Sequence, residues 1–258
     1  MVVADLHLHT TNSDGTLTID TLASAAHAAD LDAVAVTDHD RPHPGIDEPI
    51  SDLDGVTLVH GIELRVETAD QRLDLLGYGL SRTADLVALT DRLQRNRVER
   101  AREIVDCVED RLGVSLELAC EPGIGRPHIA RAIAASPAPY DYQGAFDEVI
   151  GNDCPCYVAR EIPDFETGRT CLKDACGVVG LAHPFRYDDP ASALEYTERL
   201  DAVEIPYPYD RAVDTTAAET AAREFDLLVT GGSDAHDDQL GKAGLDRDQY
   251  EQFLSALQ

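Results

Sequence analysis

Val2-Val3-Ala4-Asp5-Leu6-His7-Leu8-His9 decides the fold: it is a short apolar run that stops on two histidines. Val2 to Leu6 predicts a β-strand. In extended chain, residues two apart project to the same side, so His7 and His9 can hold one cation between their imidazoles. A single His-x-His pattern is short, and two solvated surface histidines would also produce it. Five further segments change the weight of the reading, because each closes a predicted strand with metal-ligating side chains. They are Asp38-His39-Asp40, Gly61-Ile62-Glu63, Asp74-Leu75-Leu76-Gly77, His183-Pro184 and Asp234-Ala235-His236. Groups so far apart in sequence converge where strand ends gather on one rim, as they do at the mouth of an α/β barrel.

The rest of the chain fits that architecture. Strands are predicted at 2–6, 32–37, 56–62, 73–78, 178–182, 202–205 and 227–230, with helices between most of them, and the alternation argues for parallel pairing. Residues 84–160 break the rhythm. Ala84 to Leu112 reads as one long amphipathic helix with Leu86, Leu89, Leu93, Ala101, Ile104, Val105 and Val108 on its apolar face, and Gly113 ends it. Two shorter helices and Pro137, Pro139, Pro155 and Pro163 follow. The expectation is therefore a barrel formed by 1–83 and 161–258, with 84–160 as an α-helical insertion over its mouth.

Composition bounds the function. The 258 residues include 49 acidic and 21 basic ones, for a net charge of −28, and the only lysines are Lys173 and Lys242. A basic face that attracts DNA passively is not expected. The acidic residues are spread among periodic apolar positions rather than gathered in a tail, which points to a folded protein of a salt-accumulating halophile. No apolar run is long enough to span a membrane and no export signal opens the chain, so a cytoplasmic location and six free thiols are expected. None of the cysteines forms a Cys-x-x-Cys pair.

Glu63 ends an apolar strand, where a lone buried carboxylate would be costly; bridging two cations removes that cost. Asp14, in the loop after the first strand, can reach the same mouth, although an Asp before Gly15 also suits a simple turn. Gly125-Arg126-Pro127-His128 opens a helix whose free backbone N–H groups suit an anion, which makes Arg126 and His128 candidates for a substrate phosphate. Arg186 and Arg65 are further candidates, since the arginine fork matches phosphate. His27, His43 and His60 read as structural.

Taken together these stretches resemble the PHP (polymerase and histidinol phosphatase) phosphoesterases. The resemblance runs through Asp5–Thr10, Val36–Asp40, Gly61–Glu63, Leu76–Tyr78, Gly125–Ala130, Leu181–Pro184 and Gly231–His236, nearly the full length. It implies a distorted (β/α)7 barrel with two or three divalent metal ions, Mn2+ foremost and Zn2+, Fe2+ or Mg2+ as alternatives. It also implies their ligands. His7, His9, Glu63 and Asp234 would hold one ion; Glu63 and His183 would hold a second; Asp14, His39 and His236 would hold a third. Asp74 stands where many members have a histidine, and it is expected as a harder ligand of the second ion.

The implied reaction is hydrolysis of a phosphate ester by water activated between metals, with His183, His236 or His128 protonating the leaving oxygen and Asp38 orienting an imidazole. The insertion with its Gly-Arg-Pro-His resembles the subgroup that acts on nucleoside 3′,5′-bisphosphates and RNA 5′ ends. Histidinol phosphate is the alternative substrate, and a non-catalytic metal-stabilised scaffold is the alternative of another class.

Overall fold

The computed structural model describes residues 1–257. Its strands are β1 (Ala4–Leu8), β2 (Ala33–Val36), β3 (Ile50–Leu53), β4 (Val56–Glu67), β5 (Arg72–Tyr78), β6 (Val178–Leu181), β7 (Ala202–Glu204) and β8 (Leu228–Thr230). Its helices are α1 (Ile19–Ala28), α2 (Ala84–Leu112), α3 (Arg126–Ala135), α4 (Tyr142–Ala145), α5 (Phe165–Ala175), α6 (Pro190–Glu195), α7 (Thr216–Glu224) and α8 (Arg247–Ala256). The chain divides into two compact units, one made of residues 1–90 with 162 onward and the other of 91–161.

In the first unit one sheet runs β1-β2-β4-β5-β6-β7-β8, with β3 paired to β4 on the side. All seven strands expected from the sequence form. The sheet curls until its ends meet: the N–H of Leu6 donates to Gly231 O (3.0 Å) and that of His9 to Ala235 O (2.9 Å). The result is a distorted (β/α)7 barrel. Alternate residues of β2 serve its two faces. Ala33 and Ala35 join a core with Leu6, Leu76, Tyr78 and Phe253 of α8, whereas Val34 and Val36 pack with Leu22 and Ala26 of α1.

Two expectations about the sheet are corrected. The pairing is not uniformly parallel, because β5 runs antiparallel to both β4 and β6. Only the four residues 68–71 separate β4 from β5, too few for the crossover that parallel neighbours need. Strand β3 went unseen in the sequence. It forms a hairpin with β4 around Asp54-Gly55, both in the left-handed region (φ 53° and 87°), as a two-residue hairpin turn demands.

The second unit has its own core of Ala101, Ile104 and Val108 from α2, Ile129 and Ile133 from α3, and Val149 and Ile150. Cys156 belongs to that core and Cys107 packs against it. The two are disulfide-bonded with Cα atoms 5.6 Å apart, which corrects the expectation of six free thiols; Cys120, Cys154, Cys171 and Cys176 remain free. Compartment reasoning said nothing of geometry, and here the fold brings two cysteines to bonding range. Among the described residues no helix is long and apolar enough to cross a membrane.

Candidate metal centre

Each side chain of the centre sits where a strand of the first unit reaches the rim. His7 lies in β1 and His9 follows it. The β1–β2 register slips between Asp5 and Leu8, an irregularity of the kind that re-aims a side chain beside a site. His39 follows β2 and forms a bridge with Glu63, which lies inside the long strand β4. His183 follows β6, and Asp234 and His236 follow β8. His183 and Asp234 both have left-handed backbone (φ 28° and 50°), strain held in place by the surrounding structure.

Four sets of donors converge. Ligand atoms lie within 4.8 Å of one another in His9–Asp14–His39–His236, His7–His9–Glu63, His7–His183–Asp234 and Glu63–Asp74–His183. Glu63 is the hub. Its Oε1 is 3.5 Å from His7 Nε2 and 3.0 Å from His183 Nε2, and its Oε2 is 2.7 Å from His39 Nδ1 and 3.5 Å from His9 Nε2. Asp234 Oδ1 is 3.1 Å from His9 Nε2 and 3.5 Å from His7 Nε2. Asp14 Oδ1 is 3.3 Å from His236 Nε2 and 3.7 Å from His39 Nε2. His7, His9, Glu63 and Asp74 are buried, whereas the side chains of His39 (24%) and His236 (35%) are partly exposed, so the Asp14 group is the solvent-facing one.

The donor set fits divalent cations. His7 Nε2 is buried, has no hydrogen-bond partner, and faces two carboxylates. Burial opposes protonation of His7, yet Glu204, Asp234 and Glu63 outweigh it and hold its pKa well above the ordinary value. Burial likewise pushes Asp14 up, but His39 and His236 pull it below the usual carboxylate range. Burial and the neighbouring His39 and His236 lower His9. Carboxylates and imidazoles this crowded favour positive charge among them, which divalent cations can supply.

Some expected roles change. Asp38 is buried and accepts from Thr10 N (2.8 Å), Thr10 Oγ1 (2.7 Å), Asn12 Nδ2 (3.1 Å) and Ser13 Oγ (2.6 Å). It anchors the loop that carries Asp14 and hydrogen-bonds no imidazole among the described residues. Arg65, expected on phosphate, grips Asp74, with Nε–Oδ1 at 2.7 Å and Nη2–Oδ2 at 2.5 Å. Arg186 donates to Asp234 Oδ2 (2.9 Å) and Tyr207 Oη (2.9 Å), and Tyr207 Oη donates to the same Asp234 oxygen (2.8 Å). Beside them opens a cavity of about 530 Å³ lined by Arg186, Tyr207, Tyr209, Arg211 and Lys242 among others.

Arg126 and His128 belong to the second unit, at the start of α3. His128 Nδ1 accepts from Gly125 N (3.2 Å), and Arg126 donates to Asn152 Oδ1 (3.1 Å). Nearby, burial and the guanidinium groups of Arg126, Arg160 and Arg97 push Arg100 down to about 9.

Sequence reading missed two carboxylates behind the donors. Glu204, fully buried on β7, contacts His7 Nδ1 (Oε1, 3.1 Å) and accepts from His183 N (Oε2, 2.7 Å). Its signal was the one that singled out Glu63, an acid in the apolar run Ala202-Val203-Glu204-Ile205. Asp5 accepts from Ser233 N (2.9 Å), Ser233 Oγ (2.5 Å) and Gly241 N (2.9 Å), tying β1 to the loop that bears Asp234.

Comparison with known proteins bears on family and fold. The family model described as the PHP domain matches residues 5–145, more than half of the chain. A 3′,5′-nucleoside bisphosphate phosphatase of Chromobacterium violaceum is 29% identical over 212 residues, covering 76% of this chain and 71% of that protein. A 5′-3′ exoribonuclease of Haemophilus influenzae is 26% identical over 249 residues, covering 90% and 89%. A solved structure from Bifidobacterium adolescentis superposes with a TM-score of 0.81 at 24% identity, over 99% of this chain and 96% of that one, a likeness of fold.

Proposed function

The chain belongs to the PHP domain family and is a phosphoesterase, and on that premise we propose that it removes phosphate from a nucleoside 3′,5′-bisphosphate or trims the 5′ end of RNA. The observation that carries the reading is the set of four overlapping donor groups around Glu63, in each of which the ligand atoms lie within 4.8 Å of one another. His7, His9, Glu63 and Asp234 would hold one ion, and Asp14, His39 and His236 another. Glu63, Asp74 and His183 form the remaining donor group. Divalent ions held there, Mn2+ foremost, would supply Lewis acidity, making water nucleophilic near neutral pH and offsetting charge on phosphoryl oxygens.

The protein's own groups prepare that chemistry. Glu204 accepts a hydrogen bond from His7 Nδ1–H, which leaves Nε2 facing inward to serve an ion. Arg186 and Tyr207 fix the orientation of Asp234. His236 stands inside a donor group, so it acts as a ligand rather than as a proton donor to the leaving oxygen. One feature of the first unit favours a phosphorylated nucleotide. Tyr207 and Tyr209 line the cavity beside Asp234 together with three basic residues. In the second unit, burial first and then the guanidinium groups of Arg126, Arg160 and Arg97 push Arg100 down to about 9. Arg126 and His128, at a helix start, are the proposed phosphate contacts there. The net charge of −28 supports a protein adapted to high salt.

The test is phosphate and nucleotide release at high salt with Mn2+, from nucleoside 3′,5′-bisphosphates, histidinol phosphate and 5′-phosphorylated oligoribonucleotides. Turnover of the bisphosphates or of the oligoribonucleotides is expected. Loaded protein that cleaves no phosphoester would overturn the reading.

A further inference from the structure

Both oxygens of Asp74 are already engaged. Arg65 stands directly opposite Asp74 in the antiparallel β4–β5 ladder, so the two side chains leave the same face of the sheet. The guanidinium closes a two-point fork on the carboxylate, at 2.7 and 2.5 Å. Asp74 is 2% exposed. Glu63, two residues before Arg65 on β4, shares that face. His183 completes the group, with Nε2 at 3.8 Å from Asp74 Oδ2 and 3.0 Å from Glu63 Oε1.

We propose that the guanidinium of Arg65 is the resident cation of the Glu63–Asp74–His183 group, so that the protein binds two divalent ions, at the His7–His9–Glu63–Asp234 and Asp14–His39–His236 groups, and not three. The inference rests on the reading of those groups as metal sites. With Asp74 neutralised by Arg65, Glu63 and His183 alone would serve an ion at this position, and Glu63 is already shared with its neighbour. Two donors are too few for a divalent ion that seeks four to six. An ion drawing on either oxygen of Asp74 would also stand against a fixed positive charge in a buried setting. The guanidinium has five N–H donors, of which Asp74 takes two, and the side chain is 38% exposed. It therefore keeps donors for a phosphate oxygen and can neutralise the substrate charge that an ion there would face.

The test counts ions without using activity. Metal-free protein is titrated with Mn2+ at high salt by calorimetry, and the content after gel filtration is read by elemental analysis. Wild type is expected to retain two ions per chain, and the double variant Arg65→Leu, Asp74→His three. Any wild-type count other than two, or no third ion in the variant, overturns the proposal. If circular dichroism shows the double variant unfolded, Arg65→Gln replaces it: removal of the charge is expected to admit a third ion, and an unchanged count overturns the assignment. A count of two in a protein that cleaves no phosphoester would leave this inference standing and sink the proposed function alone.

Discussion

His7 has one nitrogen facing Glu204 and one facing the donor cluster, and Glu204 decides which carries the proton. Replacing Glu204 with Gln keeps the shape but removes the charge that fixes the ring. The expected outcome is a 10- to 100-fold weaker affinity for Mn2+, about the usual effect of such supporting groups, read by competition with a chelator while circular dichroism stays unchanged. Loss of a direct donor is worse. His9→Ala or Glu63→Ala is expected to cut turnover by about 100-fold or more with the fold intact, and undiminished turnover in either would defeat the site assignment. His60 makes a prediction of the opposite kind, since it is buried outside the donor groups with Nε2 unpartnered. Burial first, then Arg82 and His43, lower its pKa from 6.5 to about 4. Between those values the unfolded chain binds a proton that the folded one refuses, so His60 destabilises the fold as pH falls from 6.5 toward 4. Urea midpoints of metal-free protein over that range should decline less in His60→Leu than in wild type. The candidate donors were legible because most of them follow or interrupt a short apolar run. Glu204 carried the same signal but lacked a motif around it, and Asp5 was read only as part of the His-x-His stretch.

At the scale of elements, the barrel closes through the segment after β8 lying against β1, and Gly232 sets how close they come. A Cβ there would lie 2.3 Å from His7 N and 2.5 Å from its Cβ, both on a buried strand that cannot yield. Gly232→Ala is therefore expected to cost roughly 1–3 kcal/mol, the range for forced overpacking, and to lower the melting temperature. A melting curve equal to that of wild type would mean that the closure is loose. The strands themselves were legible as short apolar runs, but their directions were not. Alternation with helices predicts parallel pairing, and nothing in the periodicity of β5 reveals that it returns by a four-residue turn. The β3–β4 hairpin did carry a signal, Asp54-Gly55, and its short flanking runs obscured it.

For the molecule as a whole, 49 acidic against 21 basic residues imply strong self-repulsion at low ionic strength. Salt screens it, so the melting temperature should rise between 0.1 M and 2 M KCl, and a fall or a flat profile would remove the argument for adaptation to high salt. Fold class was readable from the spacing of ligand-bearing strands along the whole chain. The Cys107–Cys156 bond was not, because it depends on two side chains meeting across a core that no local pattern describes. The reversed strand β5 has one more consequence. Its rim residue lies near the start of the strand, three positions beyond the Thr68–Gln71 turn, where Thr68 N–H donates to Gln71 O. Since neighbours along a strand alternate sides, inserting or deleting one amino acid in that turn would swing Asp74 outward and Leu73 or Leu75 inward. The carboxylate that faces Arg65 can thus be exchanged for an apolar side chain by a change of loop length alone.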